Sequence, residues 1–266
     1  MTRRTSLPMV IACLVAGLLL GGCNVNAGDQ AVDDFEGWWD GHATDGVEIT
    51  HTQANNDLPF SGSGDIWLRP DESVDTRSLV DDLCGYDADK ETVFHLDSAD
   101  APESTDPADA TGERDVEVAI DCDDTDLTMT QWETLLETDG LASASIDSRV
   151  LVARFDSPEE LLAAVADLRE LDPSELHLSS GEFNAPGHLS VDQEGDVTEA
   201  TRALLDAVLD SGVPLRQVDA GEHHRSGVEL EVVVDGDQSD VDRLEELLLE
   251  VDPQAADLAT ITPAAG

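Results

Sequence analysis

After residue 65 the chain repeats one local order five times: a short alternating strand, a striped helix, then a second short strand. DIWLR (65–69), VDTRSLVDDLC (74–84) and TVFHLD (92–97) form the first copy. DVEVAIDC (115–122), TQWETLLET (130–138) and LASASID (141–147) form the second. The third is RVLVARF (149–155), PEELLAAVADLREL (158–171) and LHLSS (176–180). The fourth is GHLSVD (187–192), VTEATRALLDAVLD (197–210) and PLRQVD (214–219), and the fifth is VELEVVVD (228–235), DVDRLEELLLEV (240–251) and LATIT (258–262). Leu161, Leu162, Val165, Leu168 and Leu171 recur at helical spacing and give one apolar stripe. Ser157 and Glu160 have the spacing of a capping box, and Pro158 suits the first helical position. In the strands Val116, Val118 and Ile120 point one way and Glu117, Ala119 and Asp121 the other. Such alternation predicts sheets with one buried face and antiparallel pairing.

The predicted fold class is α+β: tandem strand–helix–strand units forming ferredoxin-like βαββαβ sandwiches with largely antiparallel sheets. Helices cover one face, and the open face is expected to hold Trp67, Arg69, His95, Glu117, Ser143 and Ser145. The expected division is a signal segment over 1–22, a flexible tether over 23–46, a first module over 47–147 with an acidic loop at 98–114, and a second module over 148–266. The fifth unit is an odd half. It either pairs with Val47-Glu48-Ile49-Thr50 or extends the second sheet. The five copies share no signature sequence.

The N-terminal residues carry a different message. MTRR supplies positive charge, and residues 7–22 form an uncharged apolar run. That run is short of the roughly 20 residues a membrane-spanning helix needs. A basic start, an apolar middle and small residues at the end are the parts of a secretory signal. The ending Leu20-Gly21-Gly22-Cys23 resembles the lipobox of prokaryotic lipoproteins. The resemblance covers residues 1–23 and implies cleavage before Cys23, with a diacylglyceryl group on its thiol. It also implies a place on the outer face of the cytoplasmic membrane. Gly22 stands where Ala or Ser is more usual.

Composition narrows the partners. The net charge of −47 becomes −49 on loss of Arg3 and Arg4, since none of the 60 acidic residues precedes Cys23. Nucleic-acid phosphates demand Lys and Arg, so nucleic acid is excluded. A patch for anionic lipid headgroups is disfavoured for the same reason. Lys90 is the only lysine. This balance fits a GC-rich genome or a salt-adapted proteome in which acidic surface maintains solubility. With Cys13 in the signal and Cys23 lipidated, Cys84 and Cys122 remain, and two thiols outside the cytoplasm predict a disulfide.

Motifs for chemistry are few. DCDDTD (121–126) lacks the Gly and closing Glu of a calcium loop. DGDQSDVDRLEE (235–246) places Asp235, Asp237, Ser239 and Glu246 at matching offsets, but Asp240 replaces the glycine. Its reading is a turn and helix start capped by Ser239 or Asp240. Glu222, His223 and His224 lie between two strands, and adjacent residues on extended chain point to opposite sides. Trp38 and Trp39 read as packing side chains, with carbohydrate stacking as the other option. No nucleophile, phosphate or dinucleotide motif is present. No catalytic residue, metal or cofactor is therefore expected. The expectation is a non-enzymatic, lipid-anchored binding or interaction module with an unidentified protein or envelope partner. The alternative is a solute- or cation-binding lipoprotein.

Overall fold

The structure is a computed structural model that describes residues 27–58, 61–87, 90–98, 115–181, 187–221 and 229–264. Cys23 and the signal segment, residues 99–114 of the acidic loop, and the Glu222-His223-His224 stretch lie outside the described residues. The chain divides into two compact units, residues 1–95 and 96–266. The expected boundary at 147–148 instead falls inside the second unit, at a tight hairpin.

In the first unit, α1 (Ala27–His42) precedes β1 (Val47–Leu58), β2 (Ser61–Pro70), α2 (Thr76–Cys84) and β3 (Glu91–Asp97), whose residues 96–97 belong to the second unit. The expected tether over 23–46 is corrected here, because residues 27–42 are helical. Ala27, Ala31, Phe35 and Trp39 recur every four residues and are buried. This stripe is masked in the sequence by small alanines and by the intervening acids and glycines. α1 packs on β1 and β2. The approach needs glycine: a Cβ on Gly28 would meet the Asn55 carbonyl oxygen at 2.7 Å, and one on Gly62 would meet it at 2.2 Å. The Gly28 amide donates to Asn56 Oδ1 at 2.9 Å. Phe35 then centres an aromatic cluster, 5.1 Å from Phe94, 5.6 Å from Tyr86 and 5.7 Å from Trp39 between ring centroids.

β1 pairs antiparallel with β2, with Val47 opposite Pro70 and Glu48 opposite Arg69. Val47-Glu48-Ile49-Thr50 therefore completes a hairpin with β2 and does not pair with the fifth unit, which extends the second unit's sheet instead. α2 is capped by Asp75, whose side chain accepts the Ser78 amide, and buries Leu79, Val80 and Leu83.

The second unit contains β4 (Asp115–Ala119), α3 (Thr125–Glu137), β5 (Leu141–Asp147), β6 (Val150–Phe155), α4 (Pro158–Arg169) and β7 (Glu175–Ser180). Next come β8 (Leu189–Glu194), α5 (Glu199–Leu209), β9 (Leu215–Gly221), β10 (Leu230–Val234), α6 (Gln238–Val251) and β11 (Ala259–Pro263). A short 3-10 turn, Ala255–Leu258, precedes β11. All four strand–helix–strand units expected here are present. The class is α+β, and strands β4 to β11 lie side by side in chain order.

This order differs from a ferredoxin-like sandwich, in which the two strands of a unit are separated by a strand of the next. Here the strands of each unit are direct neighbours and parallel: β4 with β5, β6 with β7, β8 with β9, β10 with β11. A helical crossover returns the chain to the same end of the sheet, which makes neighbours parallel. Successive units are joined antiparallel, at β5–β6, β7–β8 and β9–β10. Pairing in this unit is thus mixed, with four parallel and three antiparallel neighbours, and not largely antiparallel. The β5–β6 link is tight, with Ser148 at φ 50° and Arg149 at φ 67°. Arg149 Nη2 donates to the Asp172 carbonyl at 2.8 Å and also pairs with the Asp172 carboxylate.

Registry makes the core. Val116, Ala144, Ala153, Leu178, Val191, Val218 and Val232 stand opposite one another in turn across seven strands. All seven are buried. The helices supply the other half with Leu135, Leu161, Leu168, Leu204, Leu205, Leu244 and Leu248. Ser157 caps α4 as its spacing predicts: Glu160 N donates to Ser157 Oγ at 3.3 Å, and Ser157 Oγ donates to Glu160 Oε2 at 2.8 Å. Pro158 occupies the first turn.

Two outcomes follow. Leu151 is fully buried, whereas its neighbour Val152 is 49% exposed. Leu151→Ala is expected to lower stability by about 2–5 kcal/mol, and Val152→Ser by no more than about 1 kcal/mol. Urea titration checks the contrast, and equal losses would contradict the facing of β6. Cys84 and Cys122 lie at disulfide distance. On the chain-entropy account, replacing both by Ser is expected to lower stability by about 3–4 kcal/mol, read as a lower urea midpoint matched by the reduced wild type.

Candidate functional site

The residues that alternate with the core of the second unit form its other face. Glu117, Ser145, Val152, His177, Asp192, Asp219 and Glu231 stand opposite one another in successive strands from β4 to β10. A second row, one strand-repeat away, runs Asp115, Ser143, Arg154, Ser179, Ser190, Gln217 and Val233. Every one of these side chains is half-exposed or exposed. Adjacent strands lie about 4.8 Å apart, so each row is a ladder of side chains at that spacing.

The two rows differ in charge. In the first, His177 Nδ1 lies 2.9 Å from Asp192 Oδ1, and its Nε2 lies 3.7 Å from Glu175 Oε2. Asp219 and Glu231 continue the row. The second row has no acid between Ser143 and Val233. Gln217 Nε2 donates to Asp219 Oδ2 at 2.6 Å, which ties this row to the first. Arg216 Nη2 lies 3.2 Å from Asp235 Oδ1. Over the stretch of both rows from β6 to β9 lies a groove of about 740 Å³, lined by Arg154, His177, Ser179, His188, Ser190 and Arg216 among others. Gly181, at φ +71°, turns the chain at its rim.

The open-face expectation holds for Glu117, Ser143 and Ser145, which are half-exposed as the strand phases require. In the first unit Trp67 and Arg69 alternate with the buried Ile66 and Leu68. His95 departs from the expectation. It is 5% exposed and lies flat on Trp67, with centroids 4.5 Å apart and planes 9° apart. Trp39 belongs to the core, and Trp38 stacks on His42 at 4.5 Å and packs on Tyr86 at 5.0 Å. Both indoles are engaged by protein rings, which favours the packing reading over carbohydrate stacking.

The acidic motifs resolve into turns and caps. Asp121 Oδ1 accepts the Asp123 amide at 2.9 Å, and Asp124 caps α3 through the Leu127 amide at 3.0 Å. The helix thus begins at Thr125, five residues before its expected start, because the DCDDTD acids build its first turn. In the other motif the cap is Asp237 rather than Ser239 or Asp240. Its carboxylate accepts the Ser239 amide at 2.8 Å and the Ser239 hydroxyl. Asp235 pairs with Arg216, and Glu246 is exposed on α6. Among the described residues no group of three or more His, Cys, Asp or Glu is placed to hold a metal ion.

The groove residues Arg154, His177, His188 and Arg216 are absent from the sequence-derived candidates. Alternation marks Arg154, His177 and His188 as outward-facing, whereas Arg216 shares the phase of the buried Val218 and Ala220 and is the extra residue where the β9–β10 register shifts. Only the strand order shows that four strands bring them together.

No family model matches the chain, and no characterised protein or solved structure matches it either.

The Ser239 hydroxyl and amide hold the Asp237 carboxyl below its ordinary value of 3.8. A lowered folded pKa means a contribution present above the unfolded value and lost as pH falls through the folded one. The stability gap between wild type and Asp237→Asn is therefore expected to be constant from pH 7 to about pH 5, and to close as the pH drops below 3.8. Chemical denaturation of both proteins over that range measures it.

Proposed function

We propose that this chain is a non-enzymatic binding module, held by a lipid on Cys23 at the outer face of the cytoplasmic membrane. Its working surface is the open face of the second unit's sheet. The observation that carries this reading is the pair of polar ladders over the buried rows, with a broad groove above them. The alternating strands expose a wide bed of hydrogen-bonding side chains, which suits the capture of an extended polar partner.

Anchoring is supported by the basic start, the uncharged apolar run and the Leu20-Gly21-Gly22-Cys23 ending. A Cys84–Cys122 bond suits an oxidising compartment. Among the described residues no helix is long and apolar enough to cross a membrane. The start of α1 at Ala27 shortens the reach that a tether over 23–46 had implied. Four residue steps separate Cys23 from Ala27, at most about 14 Å of extended chain. A lipid on Cys23 therefore holds α1 close to the headgroups.

Two measurements test the reading. Cys23→Ser is expected to move the protein from the membrane fraction to the soluble one. Unchanged membrane retention would remove the anchor from the proposal. Single cysteines at Val152, on the open face, and at Ala163, on the exposed side of α4, report occupancy. In native membranes maleimide labelling of Val152→Cys is expected to be slower than in the purified chain, with Ala163→Cys unaffected. Equal labelling at Val152→Cys in both settings would show that the face carries no partner there.

A further inference from the structure

The groove on the open face has a charge pattern at odds with the chain that carries it. In a chain of net charge −47, the row through Ser143, Arg154, Ser179, Ser190 and Gln217 crosses five strands with one cation and no acid. The cations around it differ in commitment. Arg216 is paired with Asp235 at 3.2 Å, and His177 sits between Asp192 and Glu175. Arg149 and Arg169 are likewise bound, to Asp172 and Asp206. Arg154 is exposed and, among the described residues, makes no ion pair or side-chain hydrogen bond. The hydroxyls of Ser179 and Ser190, its next two neighbours in the row, also make none among those residues.

We propose that this groove binds a ligand with a single carboxylate, seated on the Arg154 guanidinium. The hydrogen-bonding chain of the ligand continues over Ser179 and Ser190 toward Gln217. This inference deepens the open-face reading and rests on it.

Three physical points select that chemistry. A guanidinium presents paired N–H donors that match the two oxygens of a carboxylate. The number of charges fixes the ligand at one: Arg154 is the only uncommitted positive group in the row, and the adjacent row holds Asp192, Asp219 and Glu231. A phosphate dianion would bring a second negative charge beside those carboxylates. Ser179 and Ser190 follow at steps of about 4.8 Å, each able to donate or accept, so an amide or hydroxyl chain leaving the carboxylate finds a partner at every step.

The occupant is therefore a small monocarboxylate, or the free carboxylate end of a longer polar chain. The probe is N-acetylglycine, one carboxylate followed by an amide, with N-acetylglycinamide as its uncharged counterpart. Both are titrated calorimetrically into the full-length chain in detergent. Saturable one-to-one binding of N-acetylglycine is expected, at least tenfold weaker for Arg154→Gln and unchanged for Arg202→Gln, an exposed arginine on α5. N-acetylglycinamide is expected to bind at least tenfold more weakly.

The proposal falls if the wild type gives no saturable binding, if the amide binds as well as the acid, or if Arg154→Gln binds like wild type. It also falls if Arg202→Gln loses as much as Arg154→Gln, or if inorganic phosphate binds more tightly than N-acetylglycine. Labelling of Val152→Cys separates the two levels. Protection in membranes without N-acetylglycine binding overturns the carboxylate and leaves the open-face reading standing. Loss of both overturns both.

Discussion

Everything in the second unit depends on the burial of every other strand residue beneath a helical stripe. A strand alone has no inside, and neither does a helix. Leu151, Ala153 and Phe155 acquire one only because α4 lays Leu161, Val165 and Leu168 into the same core. Each unit's helix completes the face that its own two parallel strands begin. Hairpin links then extend the same face sideways, so one apolar row continues through seven strands. The first unit solves the problem with different material. Its core gathers Phe35, Trp39, Tyr86 and Phe94, while the core strands of the second unit are built mostly from Val, Leu and Ala.

The same burial sorts the charge. With 60 acidic residues, the chain folds only if nearly all carboxylates stay wet, since an unpaired buried charge is too costly to retain. Period-two strands and one-sided helices leave an outer position for each acid. Many acids also take structural work: Asp75, Asp124 and Asp237 cap helices, where the terminal amides and the helix dipole favour a negative group. Cations are too few to neutralise this surface, and several are consumed locally. Arg169 is the deepest example, with its side chain 11% exposed and Nη1 2.7 Å from Asp206 Oδ1, which ties α4 to α5.

How much of this was legible depended on whether the signal was local. The four strand–helix–strand units of the second half, the Ser157 cap and the class α+β follow from periods of two and 3.6 within short windows. α1 was missed because its stripe is written in Ala27 and Ala31 as much as in Phe35 and Trp39, and small residues raise hydrophobicity little. The close approach that gives those alanines their value rests on Gly28 and on Gly62, thirty-four places further on in β2. Strand order was not legible at all. The sequence lists strands but does not say whether a unit's two strands touch or are parted by another. That choice decides between a split sandwich and the sequential sheet, and with it which side chains become neighbours.

The groove is the plainest case of that dependence. Arg154, Ser179, Ser190 and Gln217 are separated in the chain by 25, 11 and 27 positions, and nothing in any one strand marks them as a set. Sequential order places them one strand apart, while an interleaved order would have set other residues between them. Salt then decides how such a row behaves in so acidic a chain. At physiological ionic strength the Debye length is about 8 Å, and near 1 M it is about 3 Å. The repulsion that the whole surface exerts on an approaching anion is long-ranged and is screened first. A guanidinium in contact with a carboxylate acts over a shorter distance than either length and loses less. The ratio of local attraction to global repulsion at Arg154 therefore rises with salt, so a row of this kind works best in the setting that an acidic surface is suited to.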